Sequence, residues 1–179
     1  MPRRIQAPQL GKYRVVCPYC DKQWVTEVNS NPHEIQCDCG KKTNILIATV
    51  RGKHSRKFSF YREYHVRVVL REGEKEISFE DSQDVDIPMR SSDTVIFYYL
   101  PDARRIIVAV QNVTISKFWN ICVSCARFNC IGGAELWKEL QRKYGVLYHY
   151  SLASILALVE GDAELEKWVD RQFVKEFDI

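Results

Sequence analysis

From Lys12 to Val50, short runs rich in β-branched and aromatic residues alternate with turn formers: KYRVV, QWVTEV, EIQC and NILIATV, with Asn29-Ser30-Asn31-Pro32 between the second and third. Branched side chains suit a pleated surface, and Asn, Pro and Gly supply turns, so the pattern predicts four short strands. Arg51 to Lys57 (RGKHSRK) has no apolar period and reads as an exposed basic linker. From Phe58 to about Ile121 the signal is β throughout. Tyr64, Val66, Val68 and Leu70 fall on one face of a strand, with His65, Arg67 and Arg71 on the other. Breaks at Glu72-Gly73-Glu74 and Leu100-Pro101-Asp102 separate EISFE, DVDI, DTVIFYYL and RRIIVAVQNV. After Gly132-Gly133 the period changes to about 3.6. AELWKELQRKYG groups Leu136, Trp137 and Leu140 and ends on Lys143 and Gly145, as a helix C-terminus does. SLASILALVEG predicts a short apolar helix, and Asp162 to Phe177 sets Leu165, Trp168, Val169, Phe173 and Phe177 on one stripe. That stripe either caps the chain's own core or docks into a partner's groove.

These elements describe an α+β chain that is mainly β. Residues 1–57 form a basic module with its linker; 58–131 form a small antiparallel barrel or sandwich, SH3-like or OB-like in size; 132–179 form C-terminal helices packed on the β domain. With 179 residues, 46% of them hydrophobic, the chain can bury a core without a metal to hold it. No apolar run reaches the length of a membrane span, roughly 18 residues. The N-terminal MPRRIQAPQLGKYR lacks the apolar segment of a secretory signal, so the expectation is a soluble, cytoplasmic protein.

Seven cysteines are present, an odd number, and two pairs lie too close in sequence for ordinary structural disulfides. Cys17-Pro18-Tyr19-Cys20 and Cys37-Asp38-Cys39-Gly40 are two turns that can each present two thiolates. Zinc is borderline-soft and accepts a tetrahedron of sulfurs, so the four cysteines are candidate ligands for one Zn2+ ion. Pro18 stiffens the first turn and Gly40 lets the chain turn sharply after the last ligand. With strands flanking Cys17-Pro18-Tyr19-Cys20 and with Cys39-Gly40-Lys41 following, residues 12–50 resemble the zinc-ribbon family. That resemblance implies a ribbon fold with two metal-binding knuckles. One departure stands out: the second pair is Cys-x-Cys where the family has Cys-x2-Cys. The tighter turn leaves open that His33 replaces one cysteine, and the thiolates alone leave an iron–sulfur cluster as the other metal option. A zinc with four protein ligands has no open position for water or substrate, so the site is expected to be structural.

Cys122, Cys125 and Cys130 lie in CVSCARFNC. They read as small core residues where the β domain meets the helices, with a second metal site completed by His149, or a redox Cys-x-x-Cys, as the sharper alternatives. The net charge of +3 hides an asymmetry: residues 1–57 carry eleven Lys/Arg against four Asp/Glu, and the remainder fifteen against nineteen. Lys41, Lys42, Arg51, Lys53, Arg56 and Lys57 are the candidate nucleic-acid contacts, interleaved upstream with Tyr13, Tyr19 and Trp24 that stack on bases or pack the ribbon. The acidic stretch from Glu72 to Asp93 reads as a solvated strand edge. His33, His54, His65 and His149 belong to no catalytic motif. The sequence therefore predicts a non-enzymatic zinc-binding adaptor that meets nucleic acid or a nucleoprotein complex through its basic ribbon. The alternatives are a protein-interaction or assembly factor that uses the zinc module as a docking surface, and a thiol-based redox or metal-responsive protein.

Overall fold

The structure, a computed structural model, describes residues 4–83, 85–101 and 106–173. The first four strands fall where the pattern places them: β1 (Gly11–Val16), β2 (Gln23–Val28), β3 (His33–Gln36) and β4 (Lys42–Lys57). β1 and β2 form a separate antiparallel pair, whereas β3 pairs with the start of β4. The predicted linker is the exception. Arg51–Lys57 continues β4, because its backbone pairs with β5 (Arg62–Leu70) from Gly52 to Lys57. The polar side chains hide this from a pattern search, since the ladder is made by the backbone and the strand has a register shift between Val50 and Gly52.

β6 (Gly73–Asp81), β7 (Thr94–Tyr99), β8 (Ile107–Asn112) and β9 (Lys117–Asn120) complete a seven-stranded antiparallel sheet in the order β6-β5-β4-β7-β8-β9, with β3 attached to β4. Ile45 faces both His33 and Tyr98, and Thr49 faces both Val69 and Thr94. One edge of β4 thus carries β3 and β5 end to end, and the other carries β7. Among the described residues β6 and β9 stand at opposite ends unpaired with each other, so the sheet is open and the predicted closed barrel does not form. β6 ends the sheet with exposed Glu74 and Glu76, charges that deter pairing at an edge. Two layers, in the manner of a sandwich, describe the arrangement only loosely. DVDI, read as a strand, is irregular in its described residues; Asp84 lies outside them.

Every residue of β8, and β7 from Val95, is buried. A strand covered on both faces shows a continuous apolar run, as TVIFYY and IVAVQN do. On one face, β1–β2 is held by side chains: the Tyr98 hydroxyl accepts from Val16 N–H at 3.1 Å and donates to Gln111 Oε1 at 2.5 Å, while Gln111 Nε2 donates to the Arg14 carbonyl at 3.0 Å. Asn31 extends the sheet with its side chain, donating to the Ile47 carbonyl at 2.7 Å and accepting from Ile47 N–H at 2.9 Å. Asn31→Ala leaves both Ile47 groups without those partners in a half-buried site. We expect it to cost about 1–3 kcal/mol in urea denaturation.

The chain leaves the sheet through β10 (Cys122–Ser124), a short α1 (Cys125–Cys130) and α2 (Ala134–Tyr144), returns as β11 (His149–Ser151) antiparallel to β10, and ends in α3 (Leu152–Val159) and α4 (Ala163–Phe173). The last three helices match the 3.6-residue periodicity. α1, β10 and β11 do not stand out because three to six residues carry too little periodicity to read. Leu136, Trp137 and Leu140 are buried, as is Val169 of the terminal stripe. Trp168 and Phe173 pack against Phe128 of α1 with ring centroids 5.8 and 6.2 Å away, so the described part of the stripe caps the chain's own core. Phe177 lies outside the described residues.

Candidate metal centre

Two turns built alike but of different length carry the four thiols. In the first, Cys17 N–H bonds to the Lys22 carbonyl at 2.8 Å, Asp21 N–H to the Cys17 carbonyl at 2.9 Å, and Asp21 adopts a φ of 64°. In the second, Cys37 N–H bonds to the Lys41 carbonyl at 3.0 Å, Gly40 N–H to the Cys37 carbonyl at 2.9 Å, and Gly40 has a φ of 90°. Each turn reverses through a left-handed residue placed directly after its second cysteine. The second is one residue shorter throughout, which is how Cys-x-Cys substitutes for Cys-x2-Cys. Glycine takes the left-handed position in the tighter turn without a Cβ penalty.

The sulfurs of Cys17, Cys20, Cys37 and Cys39 all lie within 4.8 Å of one another, with Cys17 Sγ to Cys39 Sγ at 3.7 Å and Cys20 Sγ to Cys37 Sγ at 3.5 Å. A disulfide would need about 2 Å. Four sulfurs set tetrahedrally at about 2.3 Å from a metal lie about 3.8 Å apart, which these separations fit. All four thiols are free, Cys17 and Cys37 buried, Cys20 and Cys39 exposed. Burial pushes the Cys17 thiol up to about 12, opposed by the N–H groups of Tyr19 and Cys20 bonded to its sulfur. The Cys39 N–H holds the Cys37 thiol below its ordinary value. Backbone N–H groups aimed at sulfur favour thiolate, the form a metal ion binds. His33 is outside the cluster; its Nδ1 lies 3.3 Å from Ser30 Oγ.

The six candidate cations are strung along the second turn and β4. Lys41 pairs with Glu160 at 3.0 Å, Lys42 with Glu34 at 4.0 Å, Arg51 with Glu74 at 2.5 Å, and Lys53 with Asp86 at 3.0 Å. Arg56 lies over the Phe58 ring, 5.0 Å from its centroid, and Lys57 lines a cleft beside that ring. Successive strand residues face opposite sides, so these cations do not form one patch. Tyr13, Tyr19 and Trp24 all pack against the hydrophobic core. The outward face of β1 carries exposed Lys12 and Arg14.

Cys122, Cys125 and Cys130 are free and are not part of the four-thiol cluster. Burial raises the Cys122 thiol to about 12, which opposes the thiolate that redox chemistry needs. Beside it lies a buried carboxylate that the sequence does not reveal, because EISFED reads as a solvated edge. Asp81 accepts from Cys122 N–H at 2.9 Å, its Oδ2 is without a partner, and burial pushes it up to about 6 from an ordinary 3.8. A carboxyl whose folded pKa exceeds its unfolded value holds its proton more tightly when folded. The contribution of this group to stability is complete below its ordinary 3.8 and is lost as pH rises through about 6, by about 3 kcal/mol at most. Asp81→Asn keeps an acceptor for Cys122 N–H, and urea midpoints measured across that range should lose this slope relative to the parent protein.

No protein-family model matches the chain, and neither does any curated protein or solved structure. The functional reading therefore rests on the site itself.

Proposed function

We propose that the four cysteines hold one Zn2+ ion as a closed structural site, and that the protein is a non-enzymatic adaptor that contacts nucleic acid or a nucleoprotein complex. The observation that carries the first half is the thiol cluster: four sulfurs within 4.8 Å of one another, two pairs of them at 3.5 and 3.7 Å, supplied by two turns of different length. When bound, the ion would lock the two turns together and thereby fix β1–β2 against the sheet. Four protein ligands leave it no position for a substrate. The second half draws support from the charge of residues 1–57, which stays positive even after four thiolates and one Zn2+ contribute a net −2.

A protein-docking role is the second reading. It is favoured by the carboxylate partners of Lys41, Lys42, Arg51 and Lys53, which reduce what those cations can offer to phosphate. One purification separates the two. Metal analysis should return one zinc per chain, and binding to labelled RNA or DNA should weaken linearly with the logarithm of salt concentration. A stoichiometric protein that persists after nuclease treatment, with no nucleic acid bound at low salt, would decide for protein docking.

A further inference from the structure

The ribbon aromatics are used in packing, but a second set of aromatics is not. The turn between β4 and β5 reads Lys57-Phe58-Ser59-Phe60-Tyr61-Arg62. It forms one wall of a cleft of about 280 Å³ whose other wall includes Ser82, Gln83, Tyr148 and His149. That volume is close to the roughly 300 Å³ lower end for small-ligand sites. Phe58 and Tyr61 stack on each other at 4.8 Å between centroids. Arg127 lies over Tyr61, 3.9 Å from its centroid, and is fixed by Glu80 at 2.8 Å. These contacts make the floor rigid. Phe60 and Tyr148, by contrast, keep 43% and 65% of their surface exposed.

The lining is cationic. Lys57 and Arg62 border the cleft, His149 Nε2 lies 3.2 Å from the Ser82 carbonyl, and no carboxylate lines it among the described residues. Arg62 Nε lies 4.0 Å from Asp86 Oδ1. Exposed aromatic faces beside cations are what single-stranded nucleic acid requires: every base offers a π-face to stack, and the adjacent phosphates need positive charge. A duplex, whose bases are already stacked, has no use for Phe60 and Tyr148.

We infer that this cleft binds an unstacked base of single-stranded RNA or DNA, with Phe60 and Tyr148 as stacking faces and Lys57 and Arg62 as phosphate contacts. The inference rests on the nucleic-acid reading above but places the contact on the β4–β5 turn, away from the cysteine knuckles.

Fluorescence anisotropy of the full zinc-loaded chain with fluorescein-labelled single strands of about 10 nucleotides, and with the matching duplexes, tests it. Phe60→Ala and Tyr148→Ala are each expected to weaken single-strand binding by roughly five- to 150-fold, while Phe60→Tyr and Tyr148→Phe retain it. Both side chains are exposed, and unchanged circular dichroism and zinc content would confirm that the variants fold. Binding that is unaffected by the alanine variants but lost in Lys41→Ala/Lys42→Ala would overturn the cleft and leave the ribbon reading standing. Preference for the duplex would overturn the cleft as well. Absence of any binding at low salt would overturn both.

Discussion

Cys17→Ser is expected to abolish stoichiometric zinc and to melt the β1–β2 pair while the seven-stranded sheet persists. The sheet has its own core: Ile45, Ile47, Val95, Phe97 and Val108 are fully buried and belong to strands that pair with one another without β1 or β2. The β1–β2 pair does not. A two-stranded ribbon is marginal in water, and this one is attached through Val15, Val28, the Tyr98 and Gln111 hydrogen bonds, and the cysteine turns. Cys17 is the cysteine to change because it is buried and directly follows β1, so its loss would leave three sulfurs in the cluster. In zinc-finger peptides without another core, a structural zinc supplies about 10–16 kcal/mol. Here the neighbouring contacts share the task, and a smaller loss than that is expected. Hydrogen exchange is the discriminating measurement. Protection should vanish across Gly11–Val28 and survive in Thr94–Tyr99 and Ile107–Asn112. Stripping the metal with a chelator should do the same and should make the four clustered thiols reactive. A metal-free protein that keeps full protection in Gly11–Val28 would refute the structural role.

Phe128→Ala is expected to cost about 3–5 kcal/mol, the range for emptying a fully buried phenylalanine site. For a chain of this size that corresponds to a fall of roughly 6–20 °C in melting temperature. Phe128 has no exposed surface and touches three rings from two other helices, with Trp137 at 5.3 Å, Trp168 at 5.8 Å and Phe173 at 6.2 Å between centroids. Gly133 makes the room. A Cβ there would come within 2.4 Å of Phe128 Cδ1 and 2.9 Å of Trp168 Cη2. Phe128→Ala thus removes the hub on which α2 and α4 converge. Near-ultraviolet circular dichroism should lose much of its aromatic signal, and calorimetry should show the lowered transition. An unchanged transition would mean that the terminal helices do not depend on this hub and would reopen partner docking for the α4 stripe.

Both effects depend on contacts between segments far apart in the chain, and this marks the limit of the sequence reading. β-prone runs bounded by turn formers located β1–β8, with β4 read only as far as Val50, and the 3.6-residue period located the three longer helices, because strand chemistry and the burial of a helix face both leave a local mark on the residues. The cysteine spacing nominated the four thiols for the same kind of local reason: a turn that presents two ligands leaves its mark within four residues. RGKHSRK failed as a linker because a polar strand in a sheet is held by backbone bonds that composition does not record. The Asp81 site was invisible because its desolvation comes from β10, some forty residues later in the chain.

By itself, the sequence determined that the protein is mainly β with helices toward its C-terminus and carries two cysteine pairs on turns near its N-terminus, since each follows from local periodicity and turn chemistry. Only the tertiary structure decided that the sheet stays open around the long β4 and that a turn one residue shorter still brings all four sulfurs within 4.8 Å of one another. It alone showed that the ribbon's aromatics are used in packing, while Phe60 and Tyr148, 88 positions apart, line one cleft. Those outcomes depend on which surfaces meet, and a hydrophobic pattern records only that a residue is buried, not against what.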